Sequence, residues 1–599
     1  MAENDAPIMQ KTLGLTGLTM NAMALIAPGA FLWLTFFIQG TTGSTAPSMW
    51  LGIVVALLLC LATAVAYAEM AKLYPGTGSS YYFAEQAFLN HDQAWRWARL
   101  SKFIVGWGSH LYYWVYPGVM VGVMGILCGY LAGTIWPSLM SASNPGIIFM
   151  MAVAVVFSFA VAYIASRGVN GSTSVNIAIN VIQISALIVF SVMALGYRMN
   201  HPPGSIAYQF DSNTSEAYTY EFQTQPVTAG GQTTDTIVRD AAGVPKPKLD
   251  AAGKPVPFKI SYPEKDDKGN FLSHGTASSV VSPHNWGWVF VQATVAILIL
   301  VGFESVTAMG GEAKNAKRDV PIAVITSLLV QGAFCYLFEY FAANYFLNSG
   351  YTMQSASGSA APIGDMMIVV GNAILGPGNG RIFMLAEAFT VFLALIGTTL
   401  SCMNTGARVT YAMGKDSEVP EHFGILHSKS LTPHRAIWTL AVISAVIGCV
   451  SVAIAFGDAG APADAAIKSL PQGLLSSVGY TTHDAMTALP NTLLTLTLVS
   501  NFGTFLLYML SCFTCMVAYH GHPNFSMLRH FLIPGFGLLA NLACMAFYLI
   551  GPFMGYGTKM EPLLALGVAA VWGIYGGIYF MKSSKSSGRT TMVTSRAQA

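Results

Sequence analysis

Apolar residues in this chain come in long unbroken runs, not in the short alternating stripes of half-buried strands. A helix crossing the hydrocarbon core of a bilayer needs about 20 predominantly apolar residues. Twelve segments meet that requirement: 14–39, 48–70, 103–133, 147–166, 174–197, 287–310, 321–346, 381–404, 435–456, 491–518, 531–551 and 562–581. Backbone groups in lipid must find their hydrogen bonds within the segment, so runs of this length predict helices. The ten-residue alternation of a membrane β-barrel is missing from the pattern. The expected fold class is therefore an all-α integral membrane protein with twelve transmembrane helices.

Two of the spans are interrupted. The first, "GLTGLTMNAMALIAPGAFLWLTFFIQG", has Pro28 and Gly29 near its middle. Proline removes a backbone donor and clashes with the preceding turn, and glycine frees the backbone. The sixth, "WGWVFVQATVAILILVGFESVTAMGG", sets Gly302 just ahead of Glu304, an ionisable group inside an apolar run. These two spans open consecutive five-helix sets, 1–5 and 6–10, and because five is odd the second set is inverted relative to the first. Paired interruptions in corresponding helices of inverted halves point to a binding site at the membrane midplane. Unwound backbone leaves N–H and C=O groups free, and half-helix N-termini carry partial positive charge. Such groups suit a zwitterion. The plainer alternative is two ordinary kinks, since proline and glycine are frequent in transmembrane helices.

Composition agrees with the span count. Of 599 residues 54% are hydrophobic and 9% charged, against about 25% charged in soluble chains, so most of the surface faces something other than water. A net charge of +2 points to no nucleic-acid partner. All eight cysteines fall in apolar segments, and the close pair Cys512 and Cys515 sits mid-helix. They read as small apolar residues, and no metal site is certain. The N-terminus "MAENDAPIMQKTLG" lacks a signal-peptide pattern. If it lies inside, the inner segments hold 18 Lys and Arg and the short outer loops hold 3, Arg381, Lys468 and Lys559. By the positive-inside rule both termini are expected to be cytoplasmic, in the cell (inner) membrane.

The chain then divides into residues 1–197 (N-terminus and helices 1–5), 198–286 (an extracytoplasmic insertion), 287–518 (helices 6–10), 519–581 (helices 11 and 12) and 582–599 (a cytoplasmic tail). The insertion contains an internal echo, "DAAGVPKPKL" (240–249) followed by "DAAGKPVPFKI" (250–260). It is expected to form a small β-rich cap or a flap, or to be a tolerated insertion with no part in transport.

Three stretches carry a family resemblance. "GFESVTAMGGEAKNAKRDVPIAV" (302–324) resembles the helix-6 signature of the amino acid–polyamine–organocation superfamily of permeases. "NTGARVTYAMGKDSEVPEHFGILHSKSLTPHRAI" (404–437) is similar to that family's stretch after helix 8, and "AYAEMAKLYPGTGSSYYF" (66–83) to its helix 2–3 region. The resemblance implies a five-plus-five inverted repeat with broken helices 1 and 6, two trailing helices, and alternating access. By position it implies substrate contacts at Ala27, Pro28 and Gly29 in helix 1, and at Leu298, Gly302, Phe303 and Glu304 in helix 6. Two departures stand out. Ala-Pro-Gly replaces the family's Gly-x-Gly in helix 1. In helix 5, Gln183 takes the position where some proton-coupled members carry a lysine that imitates sodium.

A charged group at the bilayer centre costs roughly 2.5–3.5 kcal/mol on insertion scales, so intramembrane polar residues call for a role. Glu304 is the first candidate for coupling or gating. Gln183, His110, Thr398, Thr399 and Ser401 are the others, the hydroxyls as ligands for sodium and His110 as a group that titrates near neutral pH. Each has a structural alternative in ordinary helix packing. No catalytic or phosphate-binding constellation is visible. The expected function is a secondary active transporter moving an amino acid across the cytoplasmic membrane, by ion-coupled symport or by exchange. It needs no cofactor, with a proton or sodium as coupling ion. An amine or polyamine carrier and a membrane sensor that keeps the transporter fold are the alternatives. Substrate and oligomeric state are left open.

Overall fold

The computed structural model describes residues 11–27, 46–135, 145–201, 209–211, 216–229, 232–258, 277–283, 285–347, 361–376, 379–457, 491–556 and 560–594. Among these described residues eleven helices are long and apolar enough to cross a membrane. The first expected span is described through the shorter α1, Leu15–Ile26. Pro28 and Gly29 lie outside the described residues.

The first half continues with α2 (Ala46–Leu73), the short α3 (Ser80–Leu89), α4 (Ala98–Tyr113), α5 (Tyr116–Ile135), α6 (Pro145–Ser166) and α7 (Val169–Asn200). One expected span, 103–133, is two helices end to end. Pro117 has no N–H for the Tyr113 carbonyl, and the chain turns at Trp114 and Val115 before α5 begins.

The insertion holds two antiparallel pairs, β1 (Gln209–Asp211) with β2 (Glu216–Tyr218) and β3 (Thr224–Ala229) with β4 (Gln232–Ile237). The echoed sequences form two copies of one turn. Asp240 Oδ1 accepts from the N–H groups of Ala242 and Val244, and Asp250 Oδ1 from those of Ala252 and Lys254. Gly243 (φ +82°) and Gly253 (φ +75°) hold the same left-handed position in each.

After the five-residue α8 (Ala277–Val281), α9 (Trp286–Leu300) starts at Asn285, whose side chain accepts from Gly287 N at 2.7 Å. It stops at Val301, which is extended, and the chain resumes as a 3₁₀ helix over Phe303–Glu312. Next come α10 (Ala316–Leu328), a π-helical stretch Leu329–Tyr336, α11 (Leu337–Phe346), the buried α12 (Pro362–Leu375), α13 (Arg381–Lys415), α14 (His434–Gly457) and α15 (Asn491–Tyr519). The last two spans are α16 (Ile533–Ile550) and α17 (Met560–Ser586). Strand β2 packs against α12.

The first and last described segments meet one face of the bundle. Leu13 forms a parallel bridge with Ala313: Leu13 N donates to Glu312 O at 3.0 Å, and Lys314 N to Leu13 O at 2.8 Å. The C-terminal segment returns to the same face, where Val593 N donates to Arg96 O at 2.9 Å.

Candidate functional site

Two helix ends meet in the middle of the bundle. α1 stops at Ile26 because Ala27 turns left-handed (φ +36°), with its N–H on Met23 O. α9 stops where Gly302 takes φ +121°, a region that residues with a Cβ avoid. The two stops touch: a Cβ at Gly302 would lie 2.8 Å from Leu25 Cγ and 3.1 Å from Ile26 N. Glycine is required here by backbone angle and by space together.

Glu304 is fully buried beside this junction. Tyr508 Oη of α15 donates to its Oε2 at 2.8 Å, Gly302 N to the same oxygen at 3.0 Å, and Tyr113 Oη of α4 to Oε1 at 3.2 Å. Three donors thus converge on one buried carboxyl. Phe303 packs edge-on to Tyr67, with ring centroids 6.1 Å apart, and is tilted on Tyr508 at 5.3 Å. Tyr67 Oη is in turn 2.6 Å from Ser80 Oγ. Below Glu304, Thr307 Oγ1 donates to its carbonyl at 2.6 Å and lies 2.6 Å from Ser79 Oγ. Leu298 is buried in the last turn of α9.

The open end of α1 is held by side chains. Asn180 Nδ2 of α7 donates to Met20 O at 2.8 Å, Gln331 Nε2 to Met23 O at 3.2 Å, Thr398 Oγ1 of α13 to Leu25 O at 2.8 Å, and Tyr336 Oη to Ile26 O at 2.8 Å. Behind them Gln183 Nε2 donates to Asn180 Oδ1 at 3.0 Å, and Asn176 Nδ2 bridges Asn21 Oδ1 at 2.7 Å and Ser401 Oγ at 3.0 Å. Gln183 thus reaches α1 through Asn180. Thr399 Oγ1 is buried with no hydrogen-bond partner.

The structure therefore brings Ala27, Gly302, Phe303, Glu304, Gln183, Thr398 and Ser401 to one junction. His110 stands apart: its ring stacks on Trp114 at 4.4 Å, and Nε2 lies 3.4 Å from Thr410 Oγ1. The sequence reading missed Tyr113 and Tyr508. Tyr113 sits in an aromatic cluster that reads as an interfacial belt, and Tyr508 is one tyrosine in an apolar span. Asn180 and Gln331 were also missed, although isolated amides in apolar runs were a usable signal. Among the described residues no group of three or more His, Cys, Asp or Glu is placed to hold a metal ion.

Beneath the junction, on the face that carries the termini, lies a cavity of about 630 Å³ lined in part by Gly76, Tyr81, Glu85, Gly311, Ala412 and Asp416. Its roof is tight, since a Cβ on Gly310 would lie 2.4 Å from Gly76 O. Tyr81 Oη donates to Asp416 Oδ2 at 2.7 Å across the cavity. Burial, and after it the Asp416 carboxylate, push the Tyr81 phenol well above its ordinary range, so it stays a donor. The junction therefore brings a buried carboxyl beside two helix stops, and closely packed chain at Gly310 and Gly76 lies toward the cavity.

Comparison with known proteins matches residues 11–573 to a family described as amino acid permease. The branched-chain amino acid permease BcaP of Bacillus subtilis (strain 168) is 23% identical over 457 residues, covering 74% of this chain and 75% of the relative. BcaP of Lactococcus lactis subsp. cremoris (strain MG1363) is 30% identical over 176 residues, 28% of this chain and 35% of the relative. The low-affinity putrescine importer PlaP of Escherichia coli (strain K12) is 20% identical over 438 residues, 73% of this chain and 74% of the relative.

Proposed function

This chain belongs to the amino acid permease family, a family of transporters and not of enzymes, and from that premise we propose that it is a secondary active transporter for an amino acid. The observation that carries the proposal is the contact between two helix stops, at Ala27 and Gly302, with the buried Glu304 beside them. Helix ends left open inside a membrane are tolerated where they line a cavity or a binding site. The proposal includes twelve spans arranged as a five-plus-five inverted repeat with two trailing helices, and alternating access about this junction. It places both termini in the cytoplasm and the insertion 198–286 outside. A proton on Glu304, or sodium held among Thr398, Thr399, Ser401 and the α1 carbonyls, would provide the coupling.

An amine carrier is the second reading. The buried carboxyl at the junction, Glu304, would pair with a cationic solute. The putrescine importer among the relatives supports it.

Purified protein in liposomes separates these readings. Uptake or exchange of labelled branched-chain amino acids, serine, glutamate and putrescine is measured with a sodium gradient, with a proton gradient and with neither. Uptake of an amino acid above protein-free liposomes supports the first reading, and uptake of putrescine alone the second. Substrate binding without flux in every condition would instead support a sensor.

A further inference from the structure

The C-terminal segment is bonded across two separate walls of the cavity on the termini face. One wall is α3, backed by the start of α4, the other the end of α13 and the loop that follows it. Asp416 and Glu418, just past α13, form the anchor. Lys102 of α4 donates to Asp416 Oδ2 at 2.8 Å and to Glu85 Oε1. Glu418 is almost fully buried, and Arg99 grips it with Nε to Oε1 at 2.7 Å and Nη2 to Oε2 at 3.0 Å. These contacts join the walls without the tail.

The tail then adds a second layer. Arg589 Nη1 donates to Asp416 O at 2.7 Å, and its Nη2 lies 3.5 Å from Glu418 Oε1. Arg99 Nη1 donates to Thr590 O, and Val593 N to Arg96 O at 2.9 Å. Seven residues of tail, 588–594, therefore touch both walls at once. Gly588 (φ +65°) makes the turn that brings the tail back from α17 onto this surface. Arg99 also lies over the Phe580 ring, 4.9 Å from its centroid, which ties the α17 end to the same corner.

Asp416 and Glu85 are at once lining residues of the cavity and members of this charge cluster. Widening the cavity between α3 and α13 would part the two groups of residues that the tail bonds. Parting the walls would also strip a buried carboxylate, Glu418, of its cations, and such a charge left unpaired is expensive. The cluster therefore favours two discrete arrangements over gradual opening.

We propose that residues 588–594 are a latch that holds the cavity on the termini face closed, and that the cavity widens only when the segment lets go. Substrate release on this side then depends on the latch. The inference rests on the transport reading for its kinetic arm alone. A second arm reads the cavity directly and needs no substrate.

The kinetic arm uses the full chain with Arg96→Cys and Val593→Cys, whose backbones are hydrogen-bonded, reconstituted in liposomes. With the disulfide formed, transport falls to the level of protein-free liposomes, and reductant restores it. Undiminished transport by the oxidised protein would overturn the latch. The second arm places Ala412→Cys in the cavity wall, measured against the same chain without it, and follows modification by a charged thiol reagent in detergent. Arg589→Ala speeds labelling and the disulfide slows it. Labelling rates that neither change alters would sink the proposal, whatever the protein carries.

Discussion

Replacing Arg408 with leucine tests how the broken helix is anchored. Arg408 lies on α13 and is 1% exposed, and its partner Glu312, the last residue of the 3₁₀ helix, is 2% exposed. The pair is bidentate, Nη2 to Oε1 at 2.9 Å and Nε to Oε2 at 3.1 Å, while Nη1 donates to Asn404 O at 2.8 Å. Glu312 O also accepts from Leu13 N, so the same residue fastens the start of α1. Arg408→Leu leaves a buried carboxylate without its counter-charge, a loss of about 3–5 kcal/mol. Native stability is only about 5–15 kcal/mol, so the loss is a large fraction of the total. Replacing both partners with apolar residues removes the orphaned charge, and the Glu312→Leu, Arg408→Leu double variant should regain most of the loss. Heating a polytopic membrane protein is irreversible, so the measurement is a half-life: the decay of the monodisperse peak in detergent at fixed temperature. Arg408→Leu decaying at the parent rate would refute the reasoning. So would a double variant no better than the single one.

Glu304→Gln should abolish or strongly reduce transport and flatten whatever pH dependence the parent shows; uptake unchanged between pH 5 and 8 would remove Glu304 from coupling. Tyr508→Phe deletes the shorter of the two tyrosine hydrogen bonds to Glu304. A hydrogen bond contributes about 0.5–1.5 kcal/mol, and the shorter one more, so its transport rate should fall further than that of Tyr113→Phe, measured side by side in liposomes. Gly302→Ala puts a Cβ 2.8 Å from Leu25 Cγ at a φ of +121°; strain of about 1–3 kcal/mol is expected, seen as a shortened half-life at fixed temperature, and wild-type behaviour would mean that the α1–α9 contact is looser than it looks.

The spans were legible because lipid demands long apolar runs, and eleven of the helices among the described residues have that length. The turn at Trp114 was not, because apolar residues continue on both sides and Pro117 alone marks it. The break at Gly302 was visible in the sequence as a glycine followed by an ionisable residue inside such a run. What surrounds Glu304 was out of reach. Tyr113 and Tyr508 lie 191 and 204 residues away, and a tyrosine in a membrane helix carries no local sign of whether it faces lipid, an interface or a carboxyl group. Gln183 was picked for its place in helix 5, yet Asn180, one turn earlier, is the residue that reaches the α1 backbone. Register along α7 decides which amide points inward, and a one-turn difference is invisible to an argument from spacing.

A helix that ends inside a membrane leaves carbonyls with no intrahelical donor, and each such group in lipid costs several kcal/mol. Here two of them are answered from neighbouring elements, Leu25 O by Thr398 and Ile26 O by Tyr336, while Met23 O, which already takes the Ala27 N–H, and Met20 O, a turn earlier, accept a further bond from Gln331 and Asn180. These donors sit on α7, on the π-helical stretch before α11 and on α13. Tilting α1 by a small angle would stretch all four bonds together without offering replacements, so small displacements are opposed. A larger displacement that exchanges the whole set for water or for a bound solute is the economical way to move. The side chains that make the broken helix tolerable in lipid are thus the same ones that would give it two positions and little between them.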